Sequence, residues 1–266
     1  MNLVGFCGAG LRCGETCSVT LERAPGPFIL VVGEAEAHRE QMKPRVAESR
    51  LTVGLPDGSE IGGVEHLLAA LAGLGIQHGV RISVDGPEVP LLDASANELA
   101  LALRALAPPR AAPRLRVMRA GEVVQGCSAY SFDPGMSIDI AVNVEERRGE
   151  RQHASWDGNP GAFLRRLAPA RLAGYLSPGR PSTPKRARSA DPAVAGLPTA
   201  DSQARLSEAS ATPDESARHR LLDLLADLYL FGGPPLGRLR AVQPEHGATL
   251  DAILRALEMG VLGYRH

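Results

Sequence analysis

Residues 63–74 read GVEHLLAALAGL, and residues 219–230 read HRLLDLLADLYL. In the first, Val64, Leu67, Leu68 and Leu71 recur at helical spacing, so the segment predicts an amphipathic helix that Gly73 and Gly75 punctuate at its end. The second predicts a longer helix of the same kind. Each is followed by a Gly-rich loop, a strand, a Pro-Glu pair (Pro87-Glu88, Pro244-Glu245) and a helix carrying LRAL. That order reads as one α+β unit occurring twice. Convergent Leu/Ala patterning gives the same picture, so both readings stand at this point.

Outward from these helices, residues 17–22, 28–32, 51–55 and 80–84 read as strands, and residues 96–106 as a second helix. Residues 34–50 are polar and ambiguous. The stretch APPRAAP (107–113) is the best linker, because its prolines cannot continue a helix. Beyond it, strands are expected at 115–118, 128–132, 137–144 and 236–242, with helices at 161–167 and 249–257. The expected fold is therefore α+β. A first domain spans 1–109 and a second 114–266, the latter interrupted by a proline-rich insertion at about 176–212 with little apolar surface to offset ordering entropy.

Composition bounds the function. In 266 residues, 29 basic side chains balance 30 acidic ones and aromatics are 4 %, which leaves neither a basic footprint nor stacking platforms for nucleic acid. The run Lys185-Arg186-Ala187-Arg188 reads as a solvated patch. No stretch approaches 18 apolar residues without a charge, and the N-terminal residues lack the basic and apolar regions of a signal peptide. Cys7, Cys13, Cys17 and Cys127 follow neither zinc-ribbon nor redox spacing, so they read as reduced thiols of a cytoplasmic protein, and a monomer is expected.

His219 and Asp223 stand four apart on the long helix, leaving one face a turn apart, as two ligands of one metal must. Alone, H-x-x-x-D is weak, since surface helices carry such pairs often. Asp227 extends the stripe by another turn on a Leu-rich helix, and buried carboxylates there need a cation or histidine partners. Glu65-His66 opens the first helix, where Glu65 also suits the helix dipole and His66 has no such explanation. Two histidines and a carboxylate leave a fourth position open on zinc, which is a catalytic arrangement, and a further carboxylate and histidine could move protons. Glu65 and a His246–Asp227 pair supply those types, although spacing alone does not assemble the five groups.

The segments VEHLLAALAGLGI and DGPEVPLLDASA resemble the signature of the zinc-dependent UDP-3-O-acyl-N-acetylglucosamine deacetylases, which commit a sugar nucleotide to lipid A. PDESARHRLLDLLADLYLFG resembles that family's second metal segment, and EHGATLDAILRAL its C-terminal histidine segment. The resemblance implies two α+β domains, each a sheet packed on helices, with Zn2+ at their interface. It implies His66, His219 and Asp223 as metal ligands, Glu65 as general base, and His246, positioned by Asp227, as general acid or oxyanion stabiliser. Arg220 stands where the family has a substrate-binding lysine. An acylated sugar nucleotide would be the substrate.

The chain departs from the family at several places. Gly10-Leu11-Arg12-Cys13-Gly14 lacks the family's histidine, Ala170-Arg171-Leu172-Ala173-Gly174 lacks its threonine, and Pro244-Glu245-His246 replaces S-G-H. The family's apolar insert, which builds an acyl-chain passage, falls where residues 175–218 are rich in proline, so a weak dependence of kcat/KM on acyl length is expected. A diverged N-deacetylase acting on another N-acyl metabolite and a non-catalytic metal-binding paralogue are the alternatives.

Overall fold

A computed structural model describes residues 2–47, 50–146, 149–171 and 214–264. The first half runs β1 (Leu3–Ala9), β2 (Thr16–Pro27), β3 (Ile29–Val32), β4 (Ala35–His38), β5 (Lys43–Ala47), β6 (Arg50–Gly54), β7 (Glu60–Gly62), α1 (Glu65–Leu74), β8 (His78–Asp85) and α2 (Asn97–Leu106). The second runs β9 (Leu115–Val117), β10 (Gly121–Gln125), β11 (Ser128–Asp133), β12 (Ile138–Glu145), β13 (Arg151–Trp156), two short helical turns (Pro160–Ala162, Phe163–Leu167), α3 (Glu215–Leu230), β14 (Gly237–Val242), α4 (His246–Glu258) and β15 (Leu262–Tyr264). The proline-rich stretch read as an insertion at 176–212 lies outside the described residues.

The repeat seen in the sequence is a repeat of topology. One five-stranded sheet has the order β1-β2-β8-β3-β4 and the other β10-β11-β14-β12-β13. In both, the strand that follows the long helix enters the middle of the sheet, parallel to one neighbour (β3 or β12) and antiparallel to the other (β2 or β11). Each sheet is completed by a helix after that central strand. α2 packs on β2, α4 on β10 and β11, and α3 on β12 and β13, while α1 lies against both α2 and α3. The helices thus form a layer shared by the two sheets, and one continuous apolar core runs through it. This is the expected α+β sandwich. A small antiparallel sheet, β5-β6-β7, adjoins the start of α1.

All ten residues of α1 are buried, Glu65 and His66 included. A helix surrounded on all sides has no solvent face to fill with charge, which explains its Leu/Ala composition. Gly75, with φ +69°, ends it: Ile76 N–H reaches Leu71 O (2.9 Å) and Gly75 N–H reaches Ala72 O (3.1 Å), satisfying the last carbonyls. Gly73 does something else. It is helical, and a Cβ there would lie 2.3 Å from the Phe163 ring. The missing side chain lets Phe163 pack on α1. Gly73→Ala should therefore cost about 1–3 kcal/mol of overpacking, read as a lowered urea midpoint. In a Phe163→Leu background the penalty should shrink. An unchanged midpoint in the single variant would contradict this packing.

The structure moves two boundaries that matter for the site. The helix expected at 249–257 begins at His246, and the one expected at 219–230 begins at Glu215. His246 is thereby in a first turn, and His219 is one turn inside α3. Among the described residues no helix is long and apolar enough to cross a membrane.

Candidate active site

Three helices bring the site together. α1 supplies Glu65 and His66 from its first turn, α3 supplies His219, Asp223 and Asp227 from one stripe, and α4 supplies His246. All six are buried. The His66 and His219 rings stand edge to face with centroids 5.2 Å apart, although 153 positions separate them in the chain. Asp223 Oδ1 lies 3.7 Å from His219 Nε2 and 3.8 Å from His246 Nε2. The His246 Nδ1 atom makes a 2.8 Å hydrogen bond with Asp227 Oδ1. Arg220, half-exposed on the outer side of α3, reaches to 3.9 Å from Asp223 Oδ2.

Local structure fixes these side chains. His219 Nδ1 lies 3.3 Å from Ala170 O, and when it donates there the Nε2 lone pair is free and faces inward. The chain enters α4 through Gln243, whose φ of +48° is strained for a non-glycine residue. Gln243 is held by its side-chain amide, which donates to Glu145 O (2.9 Å) and accepts from Glu145 N–H (3.2 Å). Behind His246, Tyr130 Oη and Thr249 Oγ1 share a buried 2.8 Å hydrogen bond.

Electrostatics separate the roles. Burial and the neighbouring His219 push the His66 imidazole down to about 3, so it is neutral. Burial pushes Asp223 up, but His219, His246 and Arg220 outweigh it and hold its carboxyl below the usual range. Burial raises Glu65 above an ordinary carboxylic acid, with His246 opposing. Burial also works against a charged His246. Asp227, with Asp223 and Glu65 behind it, prevails and pushes it up to about 10. Asp227 itself is pushed up to about 6 by burial, against the pull of His246. Between those two values His246 is an imidazolium facing an aspartate.

The donor set can be tested for a metal from what it leaves unpaired. Among the described residues, four buried side-chain atoms have no hydrogen-bond partner: His66 Nε2, His219 Nε2, Glu65 Oε2 and Asp227 Oδ2. Stranding buried polar atoms costs about 1–3 kcal/mol each. Among the described residues no three His, Cys, Asp or Glu side chains are already closed around one point. Two unpartnered imidazole nitrogens on adjoining rings, with the Asp223 carboxylate beside one of them, nonetheless fit zinc, whose ligands are nitrogen and oxygen donors. Glu65 and His246 stand beside that set.

The sequence did not reveal Arg50, whose Nη1 lies 3.4 Å from Glu65 Oε1. It is the last residue of the polar, ambiguous stretch 34–50 and the first of β6, and it carries no local signal. Gln243 and the Tyr130–Thr249 pair were missed for the same reason. The DASA segment, by contrast, has a structural use. Asp93 Oδ1 accepts from Ser95 N–H (3.1 Å) and Ser95 Oγ (2.7 Å), and Ser95 Oγ accepts from Asn97 N–H (3.1 Å), which turns the chain into α2. Leu92 and Ala94 take left-handed φ values of 53° and 60° to make that turn.

The chain is 31% identical to the UDP-3-O-acyl-N-acetylglucosamine deacetylase of Myxococcus xanthus, over 94% of this chain and 82% of that protein. It is 30% identical to the protein of that name from Phenylobacterium zucineum (95% and 89% covered) and 26% to that from Marinobacter nauticus (96% and 88%). With the family's own sequence model matching residues 1–258, the chain belongs to the UDP-3-O-acyl N-acetylglycosamine deacetylase family.

Proposed function

We propose that this chain is a zinc-dependent deacetylase that hydrolyses the acetamide of a UDP-3-O-acyl-N-acetylglucosamine in lipid A biosynthesis. The observation that carries this reading is the pair of buried, unpartnered Nε2 atoms of His66 and His219, brought together from opposite halves of the chain beside Asp223. His66, His219 and Asp223 would hold the metal. Bound there, zinc supplies a Lewis acid for the amide carbonyl and lowers the pKa of water.

The chain's own groups then move the protons. Glu65, whose carboxyl is raised by burial toward neutrality, accepts a proton from the attacking water. Arg50 beside it keeps the ionised form available. His246, charged and fixed by Asp227, donates a hydrogen bond to the developing oxyanion. As the C–N bond breaks, a proton passes to the leaving nitrogen, giving acetate and a free amino sugar. Arg220, on the exposed side of α3, would meet an anionic part of the substrate. The free cysteines fit a reducing compartment, which supports a cytoplasmic setting.

Asp227→Asn tests the His246 assignment through pH. The aspartate raises the imidazole, so removing its charge lowers the His246 pKa. The acid form is then lost at lower pH, and the basic limb of the kcat/KM profile should move down. A basic limb that stays in place would mean His246 is not the titrating acid. The activity itself is checked by acetate release from a panel of UDP-N-acetylhexosamines with and without 3-O-acyl chains. The account expects release from the acylated substrate. Release only from an unacylated or non-nucleotide amide would transfer the chemistry to another substrate, and zinc binding with no release from any would make the protein a non-catalytic relative.

A further inference from the structure

Residues 10–15 form the turn between β1 and β2, closed by Gly10 N–H to Glu15 O (2.8 Å) and Gly14 N–H to Gly10 O (3.2 Å). Two cysteines meet there. Cys13 Sγ and Cys17 Sγ are 3.8 Å apart, and both lie near the Glu15 carbonyl oxygen, at 4.0 and 3.7 Å. Cys13 is partly exposed on the turn, and Cys17 is fully buried on β2. Two glycines keep room for the sulfurs. A Cβ at Gly10 would be 2.3 Å from Cys13 Sγ and 3.2 Å from Cys17 Sγ, and one at Gly86 would be 2.8 Å from Cys17 Sγ. Cys7 is excluded from the pair. It stands opposite Ser18 in the ladder, so its side chain shares a face with Ser18 and not with Cys17.

We propose that Cys13 and Cys17 are a reversible two-electron oxidation site whose co-reactant is a small hydroperoxide. The accessible Cys13 thiol reacts first: Cys13–SH and ROOH give Cys13–SOH and ROH. The Cys17 sulfur then attacks the sulfenic sulfur, an S–S bond forms, the S–OH bond breaks, and water leaves. The thiols are oxidised and the peroxide is reduced. Closing the bond draws the sulfurs from 3.8 Å to about 2.05 Å, a movement that the exposed turn can supply. Burial pushes the Cys17 thiol up to about 12, consistent with its being the second to react.

A metal fits this place less well. The nearby carboxylate, Glu88, already accepts from Arg12 N–H through Oε2 (3.0 Å), and none of its oxygens is among the unpartnered buried atoms. Glu88 also links the turn to the catalytic helix. Val89 N–H bonds to Gly62 O (3.0 Å) and Gly62 N–H to Pro87 O (3.1 Å), three residues before Glu65. A disulfide at 13–17 would therefore staple the turn that braces this entry into α1.

The test uses the zinc-loaded, full-length protein. It is exposed to hydrogen peroxide at a few equivalents, then denatured and alkylated, and peptide 13–23 is weighed. The expected result is a peptide lighter by two hydrogens and unalkylated, two of the four thiols lost, and full recovery with dithiothreitol. In Cys13→Ser, Cys17 should remain alkylatable. A Cys13 that gains oxygens while Cys17 stays alkylatable would overturn the proposal. So would a disulfide to Cys127, or a second zinc per chain that blocks both thiols before oxidation.

Discussion

Replacing Glu65 with glutamine should leave the metal in place and lower kcat by about 10²–10⁴-fold, the usual cost of a missing general base. Glutamine keeps the shape of the side chain and loses its capacity to take a proton. Glu65 is buried at the start of α1, and its Oε2 atom has no hydrogen-bond partner among the described residues. An acceptor that the fold leaves without a hydrogen-bond partner is free to take a proton. Arg50 touches the other oxygen and would lose an ionic partner in the variant, so a small fall in melting temperature should accompany the kinetic loss. The decisive pairing is metal content against kcat. Full zinc with little turnover supports a base, whereas zinc lost in step with activity would make Glu65 a ligand.

His219→Ala should abolish both zinc retention and activity, and its thermal stability should become indifferent to zinc. In the native protein a ligand that binds only the folded state stabilises it by about 4 kcal/mol at a thousand times its dissociation constant, so chelation should lower the melting temperature clearly. In the metal-free state the native protein carries the burden of unpaired imidazole nitrogens on His66 and His219. The alanine variant is relieved of one of them, at the expense of the packing of the His219 ring against His66. Its melting curve should therefore resemble that of the chelated native protein. A variant whose stability still rises with zinc would place the metal elsewhere.

What the sequence revealed follows where burial is complete. α1 and α3 were legible because leucine and alanine recur at the helical period in elements surrounded by protein. Strands β1, β4, β5, β7, β10, β13 and β15 were missed, and each is outermost in its sheet. Half of β13, RQHASW, is exposed, so the alternation that marks a strand is diluted by polar residues. β1 is further broken by Gly5 and Gly8. The site divides in the same way. The residue types and the i, i+4, i+8 stripe on α3 could be read directly, and so could the family resemblance. The meeting of His66 with His219 depends on α1 packing along α3, a tertiary fact with no local signature. Arg50, which reaches Glu65 from a strand in a different small sheet, had none either.

Histidines from both halves, with Asp223, would face one metal. X-ray absorption at the zinc edge of protein loaded with one equivalent tests it most directly. The expected spectrum shows a shell of nitrogen and oxygen at about 2.0–2.2 Å with the outer scattering of two imidazoles and no sulfur. A sulfur shell at about 2.3 Å would put the zinc on the cysteines and contradict it.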